Sequence, residues 1–515
     1  MSFDILVKGG MVFDGLGNPG VRADIGIQDD RIAAIGDLSK AQAGRILDAT
    51  GLYVAPGFID IHTHSDLTVL LNPGMESSIH QGVTTEVAGN CGLSVGLVLD
   101  APLFSLERRF LTPAQKLDWD GSLKGHLRRI EDQGIAINYI TLVGHGTLRK
   151  RVMGMEARDP TPEELDRMKA LLTQAFEEGA FGLSTGLEYA PGSFARLPEL
   201  VALSQVAAQC GRFYASHLRN EGDRLVESVQ EALTIGEEAG LPVQLSHHKA
   251  EGMRNWGKVK TTLRMMEEAR AKGMEVSCDQ YPYTAFMTGL SVVTLPSWVH
   301  DGGTEAFLAR LSDPEIRSRI MAEVRELHPE LADLSEESAW HQIEIGVCHG
   351  CRELEGRRIA DMAVESGRDP LEMVMDLLIS PPERLISVIY FAMSEEDVRL
   401  VMRHPHTLVG SDGASSNPHG VLGEHNIHPR GYGTFPRVLG RYVREEGVLP
   451  WEEALRKMTS MPARRLGLMD RGKLKVGCFA DLVVFDPLTV ADRATYRDAH
   501  HFAEGIVHVL VNGRV

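Results

Sequence analysis

The sequence predicts an α/β fold: a (β/α)₈ barrel, a small β-sandwich built from both chain ends, and an insertion near the barrel mouth. Three observations predict it. Through the middle of the chain, apolar strand-like runs alternate with amphipathic helical stretches, the pattern of a parallel sheet with crossover helices. Both ends instead read as short strands broken by turns, each end with too few strands for a stable sheet of its own. The composition agrees: 515 residues at 43% apolar can bury a large core, while 52 glycines and 6% aromatic residues suit many short strand-to-helix loops.

Taken in order, residues 1–55 form the first part of the sandwich. Residues 4–8 alternate, Gly9-Gly10 turns, 11–13 follows, and 24–28 and 31–35 flank Asp29-Asp30. The barrel spans 56–469. Its strand candidates are 58–62, 84–88, 138–143, 180–184, 213–216, 243–246, 275–279, 387–391 and 408–411, with clear helices between them at 162–178 and 224–239. Nine candidates compete for eight places, so one belongs elsewhere. The stretch 291–342 reads as helical, breaks the rhythm and is expected to cover the barrel mouth. Residues 470–515 return to strand texture at 480–485 and 506–511, completing the sandwich.

The totals exclude some functions. With 53 basic and 71 acidic residues the net charge is −18, a field that repels phosphate backbones, so no nucleic-acid partner is expected. An anionic substrate needs its own cations inside the site. Six cysteines in this length do not make a disulfide framework. The start of the chain shows no signal peptide, and no apolar run approaches the roughly 20 residues of a membrane helix. A soluble, cytoplasmic protein is expected, away from membranes; no oligomeric state follows from the residues.

Chemistry concentrates at predicted strand ends. Ile59-Asp60-Ile61-His62-Thr63-His64 closes an apolar strand, and residues two apart share a side, so His62 and His64 can reach one metal from the barrel interior. An isolated His-x-His reads equally well as two structural histidines; the strand end, where barrel enzymes carry catalytic groups, favours the ligand reading. His217 ends Ala215-Ser216-His217, the pair His247-His248 ends Leu245-Ser246, and Asp412 ends Gly410-Ser411. Four strands ending in metal-ligand types point to a metal-dependent hydrolase. Cys91, in Gly89-Asn90-Cys91-Gly92, reads as a small core residue or, beside metals, as a bridging thiolate. Cys348-His349-Gly350-Cys351 looks like half of a structural zinc site whose other ligands are not evident. His145 either faces the site or fills it.

These residues resemble the amidohydrolase superfamily and, within it, the N-acyl-D-amino-acid deacylases (D-aminoacylases). The superfamily's marks are Pro56-Gly57-Phe58 leading into the histidine pair, the strand-end histidines and aspartate, and Gly477-Cys478-Phe479-Ala480-Asp481 near the end. The narrower likeness lies in the segment around Cys91, in Gly182 through Tyr189, Ser216 through Arg219, Ser246 through Lys249, Gly410 through Gly413, His428-Pro429-Arg430 and Arg471-Gly472. The resemblance implies one tightly held zinc on Cys91, His217 and His247, with His62 and His64 forming a weaker second site. It implies Tyr189, Lys249 and Tyr281 as partners of a substrate carboxylate; Arg430 joins them because it follows soon after Asp412. Zinc lowers the pKa of bound water to about 7, and Asp412 is then the general base and acid. The expected substrate is a small anionic N-acyl-D-amino acid. The alternatives are an N-acyl-D-glutamate or N-acyl-D-aspartate deacylase, a dipeptidase or a cyclic-amide hydrolase, and, more remotely, an inactive barrel used for binding. A cyclic-amide hydrolase would call for a carboxylated lysine bridge, and no suitable lysine ends the second, third or fourth strand.

Overall fold

The computed structural model describes residues 2–97, 121–379 and 385–515. Five strands open the chain: β1 (Ser2–Val12), β2 (Val21–Gln28), β3 (Arg31–Gly36), β4 (Gln42–Asp48) and β5 (Tyr53–Pro56). The register of β1 against β2 shifts between Val7 and Gly10, so the first part of β1 pairs with β4 and its last residues with β5. The Gly9-Gly10 turn expected from sequence is therefore an irregularity within one long strand.

The barrel staves follow. They are β6 (Phe58–Asp60), β7 (Val83–Ala88), β8 (Asn138–Thr141) continued after Leu142 as β9 (Val143–Gly144), β10 (Gly182–Gly186), β11 (Phe213–His217), β12 (Val243–Leu245) and β13 (Val276–Gln280). An excursion then carries β14 (Phe286–Gly289), β15 (Ile343–Cys348) and β16 (Ile386–Tyr390) before the last stave, β17 (Thr407–Val409). The staves pair in parallel as β6-β7-β8 and as β9-β10-β11-β12-β13-β17. Closure comes just past the strand ends: Thr63 bridges Gly413 in parallel, and Asp412 N donates to His62 O at 2.8 Å. The barrel thus zips shut through residues beside its chemical groups.

The ninth strand candidate is β16. It pairs antiparallel with both β14 and β15, outside the barrel. The helices read at 291–342 lie in this excursion, which keeps its own core around Trp340, Ile345, Val388 and Tyr283. Local chemistry sets the barrel helices. Pro162–Glu177 starts in a capping box, with Thr161 Oγ1 accepting from Glu164 N and the Glu164 carboxylate accepting from Thr161 N. It buries Met168, Leu172 and Phe176 in the main core. Leu225–Ala239 ends on Gly240 in left-handed backbone.

Two strands close the chain, β18 (Leu482–Phe485) and β19 (Ile506–Leu510). β18 pairs with β5, Tyr53 opposite Phe485, so both chain ends share one seven-stranded sheet. Asp481 ties this sheet to the barrel through Arg471, Asn138 and Asn512 N. Among the described residues, no helix is long and apolar enough to cross a membrane.

Candidate metal centre and active site

Each chemical side chain arrives at the carboxyl end of a stave. His62 and His64 follow β6, Cys91 follows β7, His217 ends β11, His247 follows β12 and Asp412 follows β17. Three of them, Cys91 (φ 51°), His247 (φ 33°) and Asp412 (φ 51°), adopt left-handed backbone. Such conformations cost of order 1–3 kcal/mol in non-glycine residues and persist only where the surroundings impose them. Packing imposes the turn at Cys91: a Cβ on Gly186 would lie 2.1 Å from Cys91 O, and one on Gly144 2.4 Å from Gly92 O. The loop carrying Cys91 drapes onto bare backbone at the ends of β9 and β10.

The donor atoms converge. Cys91 Sγ lies 3.3 Å from His62 Nε2 and 3.4 Å from His247 Nε2, and His217 Nδ1 lies 2.9 Å from His247 Nε2. Three overlapping groups result: Cys91, His217 and His247; His62, His64, Cys91 and Asp412; and Glu188, His217 and Glu221. A tetrahedral zinc with bonds of about 2.0–2.3 Å separates its ligands by roughly 3.3–3.7 Å, which the Cys91–His247 distance matches, while His217 and His247 stand somewhat closer. Burial pushes the Cys91 thiol up, but the charges of His62 and His247 win and hold it well below its ordinary value. A ready thiolate among imidazoles is a donor set that fits zinc.

Behind these donor atoms stands a row of carboxylates. Asp279 Oδ1 is 3.1 Å from His62 Nδ1, Glu188 Oε2 is 2.8 Å from His217 Nε2, and Glu221 Oε1 is 3.1 Å from His247 Nδ1. Each fixes a ring so that its other nitrogen faces Cys91. Asp279 also accepts from His247 N at 2.7 Å, so one carboxylate braces both groups that contain Cys91. The sequence reading missed this role for all three. Asp279 carried the available signal, a carboxylate at the end of a strand, and Glu188 sits inside the segment from Gly182 to Tyr189.

Asp412 Oδ1 is 2.9 Å from His64 Nε2, and its Oδ2 accepts from Arg430 Nη1 at 2.6 Å. Burial raises its pKa, but Arg430 and His247 outweigh burial and keep the carboxyl well below the usual range. Lys249 Nζ lies 2.8 Å from His247 Nδ1 and donates to Glu221 Oε2 at 2.5 Å. Tyr189 OH meets Thr288 Oγ1 of β14 at 3.2 Å, with its ring 4.6 Å from that of His217. Among the described residues the buried Tyr281 hydroxyl has no hydrogen-bond partner, and the Arg430 guanidinium sits 5.0 Å from the Tyr281 ring. The excursion thus contributes to the mouth through β14.

Other sequence-level candidates fall elsewhere. His248 turns its Nε2 to Thr262, and burial lowers its pKa to about 4. His145 pairs with Glu199 and lies outside the metal-ligand groups. Cys348 and Cys351 correct the half-zinc-site reading: they are joined to each other as a disulfide. Nearby, His425 is held by Glu355 at 2.6 Å, and no metal-ligand group forms there among the described residues.

The "Amidohydrolase family" model matches residues 45–515. The chain belongs to the amidohydrolase family. Among relatives of this amidohydrolase, an N-acyl-D-glutamate deacylase from Alcaligenes xylosoxydans xylosoxydans is 40% identical, covering 99% of this chain and 93% of the relative. A D-aminoacylase from the same organism is 39% identical over 99% of this chain and 94% of its own. Among solved structures, an N-acyl-D-glutamate deacylase from Bordetella bronchiseptica, complexed with zinc and a phosphonate mimic of the tetrahedral intermediate, is 37% identical with a TM-score of 0.83. That alignment covers 100% of this amidohydrolase and 96% of the neighbour.

Proposed function

We propose that this amidohydrolase cleaves the amide bond of N-acyl-D-amino acids, releasing a carboxylate and a free D-amino acid, with one tightly held zinc and a weaker second metal position. One observation carries the reading. At a single barrel mouth, Cys91, His217 and His247 converge beside an ionised Asp412, with Lys249 and the unpartnered Tyr281 hydroxyl close by. The activities of the relatives are of this class.

Zinc on Cys91, His217 and His247 would supply Lewis acidity and a water whose pKa falls to about 7. Asp412 acts as general base and then general acid, taking the proton of the attacking water and delivering it to the leaving nitrogen. Its Oδ2 is engaged by Arg430, so Oδ1, beside His64, is the atom that handles the proton. Lys249, Tyr281 and Tyr189 hold the substrate's α-carboxylate, with Arg430 supporting Tyr281 from across its ring.

Metal, base and carboxylate clamp fix three points around the α-carbon. Inverting that carbon sends the side chain into the wall or pulls the carbonyl off its position, and a misplacement of about 1 Å costs about 10²-fold. The two cations of the mouth already face carboxylates, Lys249 on Glu221 and Arg430 on Asp412. A second substrate carboxylate therefore finds no spare cation, and the favoured side chain is uncharged, as in D-methionine, D-leucine or D-phenylalanine.

Steady-state assays on N-acetyl-D-methionine and N-acetyl-L-methionine, with metal content measured on the same sample, test the proposal. The D substrate should turn over about 10²-fold faster or more. Equal rates, a preference for L, or turnover only of a cyclic amide would refute it.

A further inference from the structure

A second cavity lies outside the barrel mouth, between the antiparallel excursion and the segment that follows Arg493. It measures about 360 Å³ and is lined by Glu344, Arg358, Phe391, Thr495, Tyr496 and Arg497. That is the size of a small-ligand pocket. We propose that this cavity binds a free α-amino acid as its zwitterion, the ammonium on Glu344 and the carboxylate on Arg358 and Arg497. The inference does not rest on the reaction proposed above.

The argument starts at Glu344. It sits on β15 with 3% of its surface exposed, and among the described residues its carboxylate has no hydrogen bond and no ion pair. The carboxylate lines the cavity, where a ligand's positive charge can reach it. Burial raises its pKa, and the charges of Arg497 and Arg358 partly offset that without closing to ion-pair contact. Arg358 gives Nη1 to His341 O at 2.8 Å, and Arg497 is exposed and, among the described residues, makes no hydrogen bond or ion pair. A carboxylate at the base and two guanidinium groups at the rim, held apart, demand opposite charges from one ligand. A simple anion satisfies the rim and is repelled by the base; a simple cation does the reverse. The two charges of an α-amino acid sit about one residue's length apart and meet both. The rings of Phe391 and Tyr496, 4.9 Å apart, offer an apolar wall for its side chain.

The cavity is distinct from the metal centre but shares a wall with its surroundings. Tyr496 also packs against His428, 5.1 Å away, whose Nδ1 accepts from Arg430 N.

Calorimetric titration of the zinc-loaded protein with D-methionine and L-methionine tests the inference, with Glu344→Gln and the double variant Arg358→Ala/Arg497→Ala beside the parent. The expected result is a class of sites weakened about 10-fold or more in both variants, while KM and kcat for N-acetyl-D-methionine stay within about two-fold. Arg497 is exposed, so the double variant keeps the test decisive if Glu344→Gln fails to fold. N-acetylmethionine, which lacks the ammonium, should not occupy this class. Methionine binding unchanged in the double variant would overturn the inference. So would inorganic phosphate binding that is independent of Glu344. A protein that binds methionine here yet hydrolyses no N-acyl-amino acid would retain this site and lose the proposed reaction.

Discussion

At Cys91 three physical demands meet in one side chain: a left-handed backbone, a depressed thiol and a position between two groups of imidazoles. A core-filling cysteine needs none of them. Cys91→Ala should therefore lose bound zinc and most activity while keeping its circular dichroism spectrum; normal metal content and turnover would return Cys91 to packing. Asp412→Asn preserves shape but cannot accept the proton. Turnover should fall about 10² or more with substrate still bound, as pre-steady-state binding would reveal. Asp279 is argued to act through His62 and the His247 backbone. Asp279→Asn should weaken metal binding about 10- to 100-fold in chelator competition, whereas an unchanged metal affinity would make it a barrel-packing residue. The candidate histidines and Asp412 were legible from sequence because they close apolar strand-like runs, where a barrel points its chemistry, whereas Cys91, three residues past β7, read equally as a core filler. The carboxylates behind these residues were not legible. Whether Glu221 or Glu188 meets an imidazole depends on how β10, β11 and β12 align, and no local pattern around either residue encodes that.

The loop after β7 and the ends of β9 and β10 behave as one element because three glycines let backbone touch backbone. A methyl group on Gly186 meets Cys91 O, and one on Gly92, already at φ 73°, meets Gly186 N at 2.5 Å. Gly186→Ala should displace the loop, lowering zinc content and turnover about 10-fold or more with the barrel still folded. Metal analysis on the purified variant checks this, and full zinc occupancy would mean that the loop can yield elsewhere. Elements of regular periodicity were easily read: the helix with its Thr161 cap begins where the sequence puts it. The excursion was read only through its helices. Ile343–Cys348 alternates apolar residues and carries a strand signal, but its partner lies far away, at 386–390, which pairs in turn with 286–289. Only those pairings reveal why 387–391 cannot be a stave.

Across the whole molecule, the sheet shared by both chain ends acts as a base for the barrel. Asp481 joins Arg471, Asn138 and Asn512, and Leu482, Val484 and Leu510 pack with Ile25, Ile27 and Val54 in one core. Removing residues 470–515 strips β18 from β5 and opens that core. The shortened protein should be insoluble or fail to show a cooperative thermal transition, and a soluble, active truncation would show the base to be dispensable. Pairing of the two ends follows from their shared strand texture, each end being too short alone. The order of strands within the sheet does not, because it depends on the break in β1 that lets one strand serve two neighbours. This pairing also sets a timetable. Synthesis proceeds at about 5–20 residues per second, so β5 waits tens of seconds before β18 exists to cover its edge. During that interval the nascent chain carries an open strand edge, a template for pairing with other chains. The base is laid first and finished last, and the newborn protein is most vulnerable while its barrel is being made.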